Sequence, residues 1–290
     1  MSIPPLSSIS SLIFNEESCI NFLYESEILE KCDACPICGG RVGRIRAMFQ
    51  CTRYSCKKGF SIFRNSFFAS QRLKCNEILH LAYLWLTNCS LKTIQIHTGH
   101  STTTISTYLG YFRQLISETI DTDDTMIGGQ GIIVQVDETK MGKRKYNRGH
   151  RVEGAWVVVG VEITNERKLF AEVVQDRSEQ TISDVLSRHI CAGSTIWTDM
   201  WRGYSSLTRR FEVTHKTVNH SMWFKDPESG VHTNHVEGTN YALKHAIPKR
   251  NRTEKLLPLH LMEFVWRRKN ERNIWAAFIS ALKEIGYPSN

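Results

Sequence analysis

The sequence has no long apolar run. No uninterrupted apolar stretch approaches the roughly 20 residues that a helix needs to span a bilayer, so we expect no membrane partner. The N-terminal segment MSIPPLSSISSLIFNEES has no basic leader before its short apolar patch, and a secretory signal is therefore not expected. The cysteines are not distributed as a disulfide framework would require, because five of the nine lie between Cys32 and Cys56. Such a cluster is typical of a metal site in a reducing compartment.

The composition is that of an ordinary globular protein with a basic charge balance. Of the 290 residues, 41% are hydrophobic and 23% are charged, and a chain of this length can form one substantial core with small appended domains. The formal net charge is +8 and the isoelectric point is about 9.0. This balance favours a polyanionic partner, although it does not distinguish DNA from RNA or from an acidic protein.

Two cysteine pairs predict a structural zinc site. The pairs are Cys35-x2-Cys38 and Cys51-x4-Cys56, and the basic, glycine-containing stretch between them predicts a β-hairpin. Four thiolates on two tight turns suit tetrahedral Zn²⁺, and a closed site of this kind is structural rather than catalytic. Cys32 could replace one member of the first pair, but the CPxCG pattern supplies the turn that such a site needs.

The segment 75–120 has the pattern of three helices with a glycine-containing turn before the third. Its apolar positions recur at helical spacing, and Thr98-Gly99-His100 predicts the turn. The arrangement resembles a helix-turn-helix, in which Thr103, Thr104 and Arg113 would face a DNA major groove. A plain helical packing module with a Ser/Thr-rich surface would have the same pattern and stays open.

Three acidic residues lie in contexts suited to holding a divalent metal. Asp137 and Asp199 each end a short run rich in β-branched and apolar residues, which predicts a buried strand. Glu237 begins a helix-like stretch after a loop rich in Asn, His and Gly. Carboxylates at two strand ends and on one helix can converge on a pair of Mg²⁺ ions, which clamp the attacking and leaving oxygens of a phosphoryl transfer.

The order of predicted elements after residue 131 is strand, strand, strand, helix, strand and late helix. The second and third strands are expected at 155–162 and 169–174, the helix at 179–189, and a further short strand near 211–216. This is the order of a ribonuclease H-like fold, whose first and fourth strands carry the first two acids. We therefore predict an α/β protein in which a mixed sheet flanked by helices forms the catalytic core, preceded by a zinc ribbon and a helix-turn-helix-like module.

These predictions divide the chain into six segments. They are an N-terminal helical extension (1–31), a zinc ribbon (32–66), a helix-turn-helix-like DNA-binding module (67–120), a linker (121–131), a ribonuclease H-like catalytic domain (132–250) and C-terminal helices packed on the catalytic core (251–290). The linker is predicted because its residues are acidic and then glycine-rich.

Neighbouring acids compete for the same roles. Glu138 follows Asp137 directly, but the alternation of side chains along a strand should send the two to opposite faces. Asp226 and Glu228 precede Glu237, but the sequence DPESG predicts a turn that comes too early to belong to the final helix.

Polar side chains near the acids are candidates for DNA contact or for support of the acids. A basic loop could follow DNA phosphates beside the metals; its members are Lys140, Lys143, Arg144, Lys145 and Arg148. Four polar residues around Glu237 could position DNA or hydrogen-bond to the acids; they are His220, His232, Asn234 and His235. A lone histidine is more often structural, so each of these roles is a hypothesis.

Four stretches of the chain resemble one known family. VDETKMGKRKYNRG, GSTIWTDMWRGY, VNHSMWFKDPESGVHTNHVEG and the upstream CPICGG ribbon with FSIF resemble Merlin-superfamily transposases and their bacterial insertion-sequence relatives. The resemblance spans about Cys35 to Arg272. It implies a DDE transposase whose triad is Asp137, Asp199 and Glu237. One position departs from the family, which commonly has Trp where this chain has Asn240.

The resemblance implies a DNA transposase that binds the terminal inverted repeats of its element and catalyses metal-dependent cleavage and strand transfer into target DNA. It further implies two Mg²⁺ (or Mn²⁺) ions per active site, besides the structural Zn²⁺, and a homodimer or larger assembly on DNA. Such a protein would reside in the nucleus of a eukaryotic host, or otherwise in the cytoplasm and nucleoid.

Two other functions stay open. A ribonuclease H-like nuclease that cuts without strand transfer would use the same metals. A domesticated, element-derived DNA-binding regulator would keep the N-terminal modules, although all three acids are present in this chain. A bare zinc-ribbon adaptor would leave the rest of the chain unexplained.

Overall fold

The computed structural model describes residues 3–142, 154–205 and 207–285. The chain forms two compact units, one of Met1–Thr119 with Asn270–Asn290 and one of Ile120–Lys269. In the described ranges, no helix is long and apolar enough to cross a membrane. Four members of the predicted basic loop lie outside the described residues: Lys143, Arg144, Lys145 and Arg148.

The first unit begins with two helices. Helix α1 spans Leu6–Phe14 and helix α2 spans Glu16–Glu25. Asn15 caps α2, because its side chain accepts a hydrogen bond from the backbone amide of Ser18 over 2.9 Å. Leu23 of α2 is fully buried and contributes to the core of this unit.

A small antiparallel sheet follows the two helices. Its strands are β1 (Val42–Ile45), β2 (Met48–Cys51) and β3 (Gly59–Ser61), in that order across the sheet. Strands β1 and β2 form the hairpin that the sequence predicts between the two cysteine pairs. The sheet therefore places the two cysteine-bearing turns close together in space.

Three helices complete the predicted helix-turn-helix segment. They are α3 (Cys75–Leu86), α4 (Leu91–Thr98) and α5 (Thr102–Ser117). Gly99 ends α4 with φ of 71°, a left-handed conformation that favours glycine. Ser101 then caps α5 by accepting a hydrogen bond from the amide of residue 104 over 3.1 Å. The predicted three helices and turn are thus confirmed.

The last helix, α11 (Ile274–Glu284), packs within the first unit. Phe278 is fully buried, and its ring centroid lies 5.4 Å from that of Phe112 on α5 and 6.0 Å from that of Trp85 on α3. The prediction that both C-terminal helices pack on the catalytic core is therefore wrong for α11. The reason is physical: its aromatic stripe completes the core of α3 and α5, which the sequence pattern alone did not assign to it.

The second unit is built on a five-stranded mixed sheet in the order β10-β9-β5-β6-β7. Its strands are β5 (Ile133–Met141), β6 (Ala155–Glu162), β7 (Leu169–Val174), β9 (Thr195–Asp199) and β10 (Thr214–Val218). Strands β5, β6 and β7 are antiparallel, whereas β9 runs parallel to β5 and β10 runs parallel to β9. This element order and topology are those of a ribonuclease H-like fold, which confirms the predicted fold class.

Helices cover both faces of this sheet. Helix α7 (Glu179–His189) packs on one face, and α9 (Asn234–Ala246) and α10 (Leu257–Lys269) pack on the other. Side chains alternate along β5, so that Val134 belongs to the core beneath α7 and Met141 to the core beneath α9 and α10.

The segment predicted as a linker folds into the second unit. It forms helix α6 (Thr122–Thr125) and strand β4 (Ile127–Gly128), which pairs with β8 (Ile190–Cys191). Ile127 is fully buried in the core beneath α7. The linker prediction is wrong, because the acidic residues cap a helical turn and the apolar residue that follows them is a core residue.

Element boundaries differ from the predictions at three places. Strand β5 does not end at Asp137 but continues to Met141, since antiparallel β6 pairs with it to that point. The strand expected near 211–216 begins at Thr214, after the short helix α8 (Leu207–Arg210). Helix α9 begins about one turn earlier than the sequence indicated.

Candidate metal-binding active site

Strands β5 and β9 carry Asp137 and Asp199 to the same level of the sheet. Their parallel register pairs Gln135 with Trp197. Continued for two more residues, the same register sets Asp137 opposite Asp199, which is the last residue of β9. Two acids that are distant in sequence therefore become neighbours.

Both acids face the side of the sheet that α9 covers. Val136 and Ile196 belong to the core on the opposite side, beneath α7. Because side chains alternate along a strand, Asp137 and Asp199 lie at positions of the other parity and point towards α9. Glu237 lies in the first turn of that helix. Two strands and one helix thus present the three acids on one side of the sheet.

A buried glutamine fixes the N-terminus of α9 to the sheet. Gln135, which is fully buried on β5, donates from Nε2 to the carbonyl of His232 over 2.7 Å. Its Oε1 accepts hydrogen bonds from the backbone amides of His235 (2.9 Å) and Val236 (3.1 Å). These amides belong to the first turn of a helix and have no partner within it. The strand that carries Asp137 therefore also holds the helix turn that carries Glu237.

A short chain of polar contacts orients the Glu237 carboxylate. The Thr233 hydroxyl donates to Oε1 of Glu237 over 2.7 Å. Nε2 of His220 lies 2.6 Å from the same hydroxyl oxygen and 3.4 Å from Oε1 of Glu237. Because a hydroxyl has one hydrogen, which Thr233 gives to Glu237, Nε2 of His220 carries the proton in its contact with Thr233.

The other two acids have their own hydrogen-bond partners. The Nδ2 group of Asn240, one turn beyond Glu237 on α9, donates to Oδ2 of Asp137 over 2.8 Å. The backbone amide of Trp201 donates to Oδ1 of Asp199 over 2.9 Å. Asp137 is therefore held by a donor on α9, and Asp199 by a backbone donor in the segment that follows β9.

The three acids interact electrostatically. Burial raises the pKa of Asp137, and the neighbouring carboxylates of Asp199 and Glu237 raise it further, so that it reaches about 6 despite hydrogen bonds from the Glu138 amide and Asn240. A strongly raised pKa on a carboxyl beside two others is typical of a site that needs added positive charge.

The donor atoms of these residues are of a kind that suits a divalent cation. Their donors are carboxylate oxygens, which are ligands that Mg²⁺ and Mn²⁺ prefer. Within the part of the chain that the structure describes, the three carboxylates do not gather within 4.8 Å of one another as a group.

Glu138 lies on the opposite face of β5 and belongs to another environment. Its Oε1 accepts a hydrogen bond from the hydroxyl of Tyr204, which is buried in the core beneath α7. Burial raises the pKa of Glu138 to about 7. The expectation that Glu138 points away from Asp137 is thus confirmed. Asp226 accepts hydrogen bonds from the amides of the turn that follows it, as the DPESG pattern predicts.

Four cysteines form a second candidate metal site, in the first unit. The sulfur atoms of Cys35, Cys38, Cys51 and Cys56 all lie within 4.8 Å of one another, with Cys35 and Cys56 3.8 Å apart. Tetrahedral Zn²⁺ with Zn–S bonds of about 2.3 Å separates sulfurs by about 3.8 Å, so the geometry fits zinc. Cys32 lies outside this cluster, where its Sγ contacts the carbonyl of Ala34 at 3.2 Å.

The other predicted site residues contact groups other than the three acids. His232 contacts Gln135, and the ring of His235 lies 3.1 Å from Arg167 Nη2, so neither contacts a triad carboxylate through a described hydrogen bond. The backbone amide of Asn234 lies 3.4 Å from Nδ1 of His232. The ammonium of Lys140 lies 5.2 Å from the ring centroid of Trp156.

The predicted groove-facing residues of α5 are only partly available. Thr103 is exposed, whereas the hydroxyl of Thr104 lies 2.9 Å from that of the capping residue Ser101. Nη1 of Arg113 donates to the carbonyl of Leu109 in its own helix over 3.2 Å, and the side chain is half-buried. The structure therefore does not bring these three residues together as a group of free donors.

Sequence reasoning missed Gln135, Thr233 and Tyr204. Gln135 had a signal, because it is the single amide in the apolar run IIVQV and a buried amide must find partners. For Thr233, the sequence has no such signal apart from the position of the residue in the loop before Glu237. Tyr204 lies in the WRGY stretch after Asp199, where nothing in the sequence pairs it with Glu138.

Comparisons with known proteins identify one matching family and two weakly similar structures. A family model described as the ISXO2-like transposase domain matches residues 115–269. No curated protein sequence matches the chain. Two solved structures are weakly similar: a pre-cleavage Mos1 transpososome at 13% identity and a TM-score of 0.26, covering 74% of this chain and 80% of that one, and a Mos1 strand transfer complex at 11% identity and a TM-score of 0.22, covering 74% and 81%.

Proposed function

Because the chain belongs to the family of ISXO2-like transposase domains, we propose that this DNA transposase performs its chemistry at Asp137, Asp199 and Glu237. One observation carries the proposal: the register of β5 and β9 sets the two aspartates level on the face that the Glu237-bearing helix covers. A lone acid at a strand end is ordinarily a turn or capping residue. Three acids that approach one another from two strands and a helix are not explained in that way.

The proposed reaction is hydrolysis of a phosphodiester at the element end, which frees a 3′-hydroxyl. That hydroxyl then attacks a phosphodiester of the target DNA, so that the element end is joined to the target 5′-phosphate and a 3′-hydroxyl of the target strand leaves. Two divalent cations, when bound, would supply the positive charge that activates the attacking oxygen and stabilises the departing one. Asp137, Asp199 and Glu237 would hold these ions. The chain therefore needs no covalent intermediate with DNA.

The chain's own residues keep the three acids in place before substrate arrives. Gln135 fixes the turn of α9, and Thr233 with His220 fixes the carboxylate of Glu237. Supports of this kind reduce the reorganisation needed during the reaction, which is the main source of rate enhancement at preorganised polar sites. His220 is thus the predicted supporting histidine that contacts a triad acid directly.

We assign DNA-end recognition to the first unit. The four-cysteine ribbon would be held by one structural Zn²⁺, and α4 and α5 have the helix-turn-helix order in which the second helix enters a major groove. The exposed Thr103 at the start of α5 is the proposed base or phosphate contact. The partners would be the terminal inverted repeats and target DNA, bound by a homodimer or larger assembly that holds both ends.

The experiment is an assay of cleavage and joining on the DNA that flanks this reading frame, in Mg²⁺ or Mn²⁺. Asp137→Ala, Asp199→Ala and Glu237→Ala should each lower the cleavage rate by three orders of magnitude or more, while DNA binding is retained. Glu228→Ala is the matched control, because Glu228 is an exposed acid on the neighbouring turn; its rate should equal that of the unmodified protein.

Three outcomes would contradict the proposal. Full cleavage by any of the three alanine variants would remove that residue from the site. Cleavage without joined products, under conditions that support both steps, would instead identify a nuclease. Binding of the flanking DNA with neither product would identify a DNA-binding regulator.

A further inference from the structure

We propose that Asn240 is a positioning residue, which orients the carboxylate of Asp137 for cation binding. The inference rests on the proposed function of Asp137 and extends it to a residue outside the triad. It begins from the burial of Asn240, whose amide side chain is almost fully enclosed on α9. An amide at a buried helix position needs a reason, because burying its polar atoms has a cost unless they are bonded.

The position of Asn240 gives it access to the triad. It lies three residues after Glu237 on α9, so both side chains fall on neighbouring turns of the same helix face. Asn240 is 5% exposed, and its Nδ2 donates to Oδ2 of Asp137 over 2.8 Å. One side chain on the helix of Glu237 therefore contacts the acid on the central strand directly.

The direction of this hydrogen bond is fixed by chemistry. A rotated amide would place Oδ1 of Asn240 against a carboxylate oxygen, and two acceptors would face each other. Nδ2 therefore faces Asp137. The bond therefore fixes the orientation of the Asp137 carboxylate, whose remaining lone pairs stay available to a cation.

The second polar atom of Asn240 adds an independent observation. Its Oδ1 is buried and has no hydrogen-bond partner among the described residues. A buried acceptor without a partner destabilises a fold, and an apolar side chain of the same size would avoid that cost. Mg²⁺ retains several waters when it binds to protein, and such a water is a donor of the kind that this oxygen lacks. Both polar atoms of Asn240 are thus accounted for by a hydrated cation at Asp137.

The test is the affinity of the DNA-free full chain for Mn²⁺, measured by titration calorimetry and by electron paramagnetic resonance. Asn240→Leu keeps the size of the side chain and removes both polar atoms. It should weaken Mn²⁺ binding at least tenfold, the usual effect of removing a residue that orients a metal ligand. Its thermal unfolding in a chelator should stay cooperative, which shows that a loss of Mn²⁺ affinity does not come from an unfolded chain.

Matched variants separate the possible results. Thr239→Val removes a buried hydroxyl from the adjacent position on α9 and should leave Mn²⁺ affinity unchanged. Asn240→Ser, whose hydroxyl is too short to reach Asp137, should behave like Asn240→Leu and serves if the leucine variant does not fold. Mn²⁺ affinity within threefold of the unmodified protein for the leucine or serine variant would overturn the inference. So would an equal loss in Thr239→Val, which would indicate general packing.

If the proposed function is wrong, the binding experiment gives a different result. Asp137→Ala should abolish Mn²⁺ binding at this site if the acids hold cations. Retained binding by Asp137→Ala would refute the proposed cation site itself. Loss of binding in Asp137→Ala, together with normal binding in Asn240→Leu, would refute the role of Asn240 alone.

Discussion

Nε2 of Gln135 donates a hydrogen bond to the carbonyl oxygen of His232 over 2.7 Å, across the boundary between strand β5 and the loop that enters α9. Oε1 of the same side chain accepts hydrogen bonds from two backbone amides of the helix. A fully buried side chain therefore satisfies three backbone groups that no element of regular structure satisfies. Through this amide, the geometry between Asp137 and the Glu237 helix depends on a residue that contacts neither acid.

Gln135→Leu should destabilise the protein and also impair catalysis. It leaves three buried backbone groups without partners, so we expect a loss of about 2–4 kcal/mol in the free energy of unfolding. Cleavage by the folded fraction should fall at least tenfold, because α9 loses its attachment to β5. Urea unfolding and the cleavage rate at a temperature well below unfolding measure the two effects.

Gln95→Leu is the control, since Gln95 is exposed on α4; its free energy of unfolding should change by about 0.5 kcal/mol or less. A Gln135→Leu variant with unchanged stability and cleavage would show that the helix does not depend on this amide.

His220→Ala should lower the cleavage rate without unfolding the protein. The side chain of His220 is about one third exposed, and its loss removes the contact that holds the Thr233 hydroxyl towards Glu237. Removing a residue that orients a metal ligand reduces metal affinity or activity about 10–100-fold. His245→Ala, an exposed position on α9, should have the normal rate. Equal cleavage rates for the two variants would contradict the role of His220.

The zinc prediction distinguishes Cys32 from its neighbours. Purified protein should contain one Zn²⁺ per chain by elemental analysis, and Cys51→Ser should lose it because a closed tetrahedral site needs all four thiolates. Cys32→Ser should retain the metal, because Cys32 lies outside the four-cysteine cluster. Loss of zinc from Cys32→Ser, or retention by Cys51→Ser, would show that the ligand set is different.

Glu172, which lies outside the candidate metal site, leads to a prediction about the pH dependence of stability. Burial raises the pKa of Glu172, but hydrogen bonds from His189 and Arg188 outweigh burial, so the pKa is lowered overall from its usual 4.5. A lowered pKa in the folded protein contributes stability that is complete above the unfolded value and is lost as the pH falls through the folded value.

Glu172→Gln should therefore lower the free energy of unfolding by about 1 kcal/mol at pH 7, since the side chain is about one third exposed. The difference should shrink as the pH falls below about 4.5. Glu166→Gln, an exposed acid whose ion pair is 3.9 Å long, serves as the control. A destabilisation that persists undiminished at low pH would contradict this explanation.

The catalytic unit was largely predictable because its elements have clear periodicity. The strands at 155–162 and 169–174 and the helix at 179–189 have the bounds that the pattern predicts. The end of β5 was not predictable, because Thr139 and Lys140 are polar and the strand continues only through its pairing with β6. That pairing is a long-range contact, which local sequence does not encode.

Tertiary packing also decided the two incorrect domain assignments. Ile127 looked like part of a flexible segment until its burial beneath α7 placed it in a core. Phe278 had a recognisable apolar stripe, but nothing local selects between α5 and the sheet as its partner. The acids themselves were identifiable from strand context, whereas the contacts of Asn240 and Gln135 depended on register and helix docking.

The most direct test of the central claim is a crystal structure of the protein grown with Mn²⁺, with anomalous diffraction recorded at the manganese edge. Two anomalous peaks about 3.5–4 Å apart are expected between the carboxylates of Asp137, Asp199 and Glu237. An anomalous map with no peak among these three carboxylates, at a Mn²⁺ concentration that supports cleavage in solution, would contradict it.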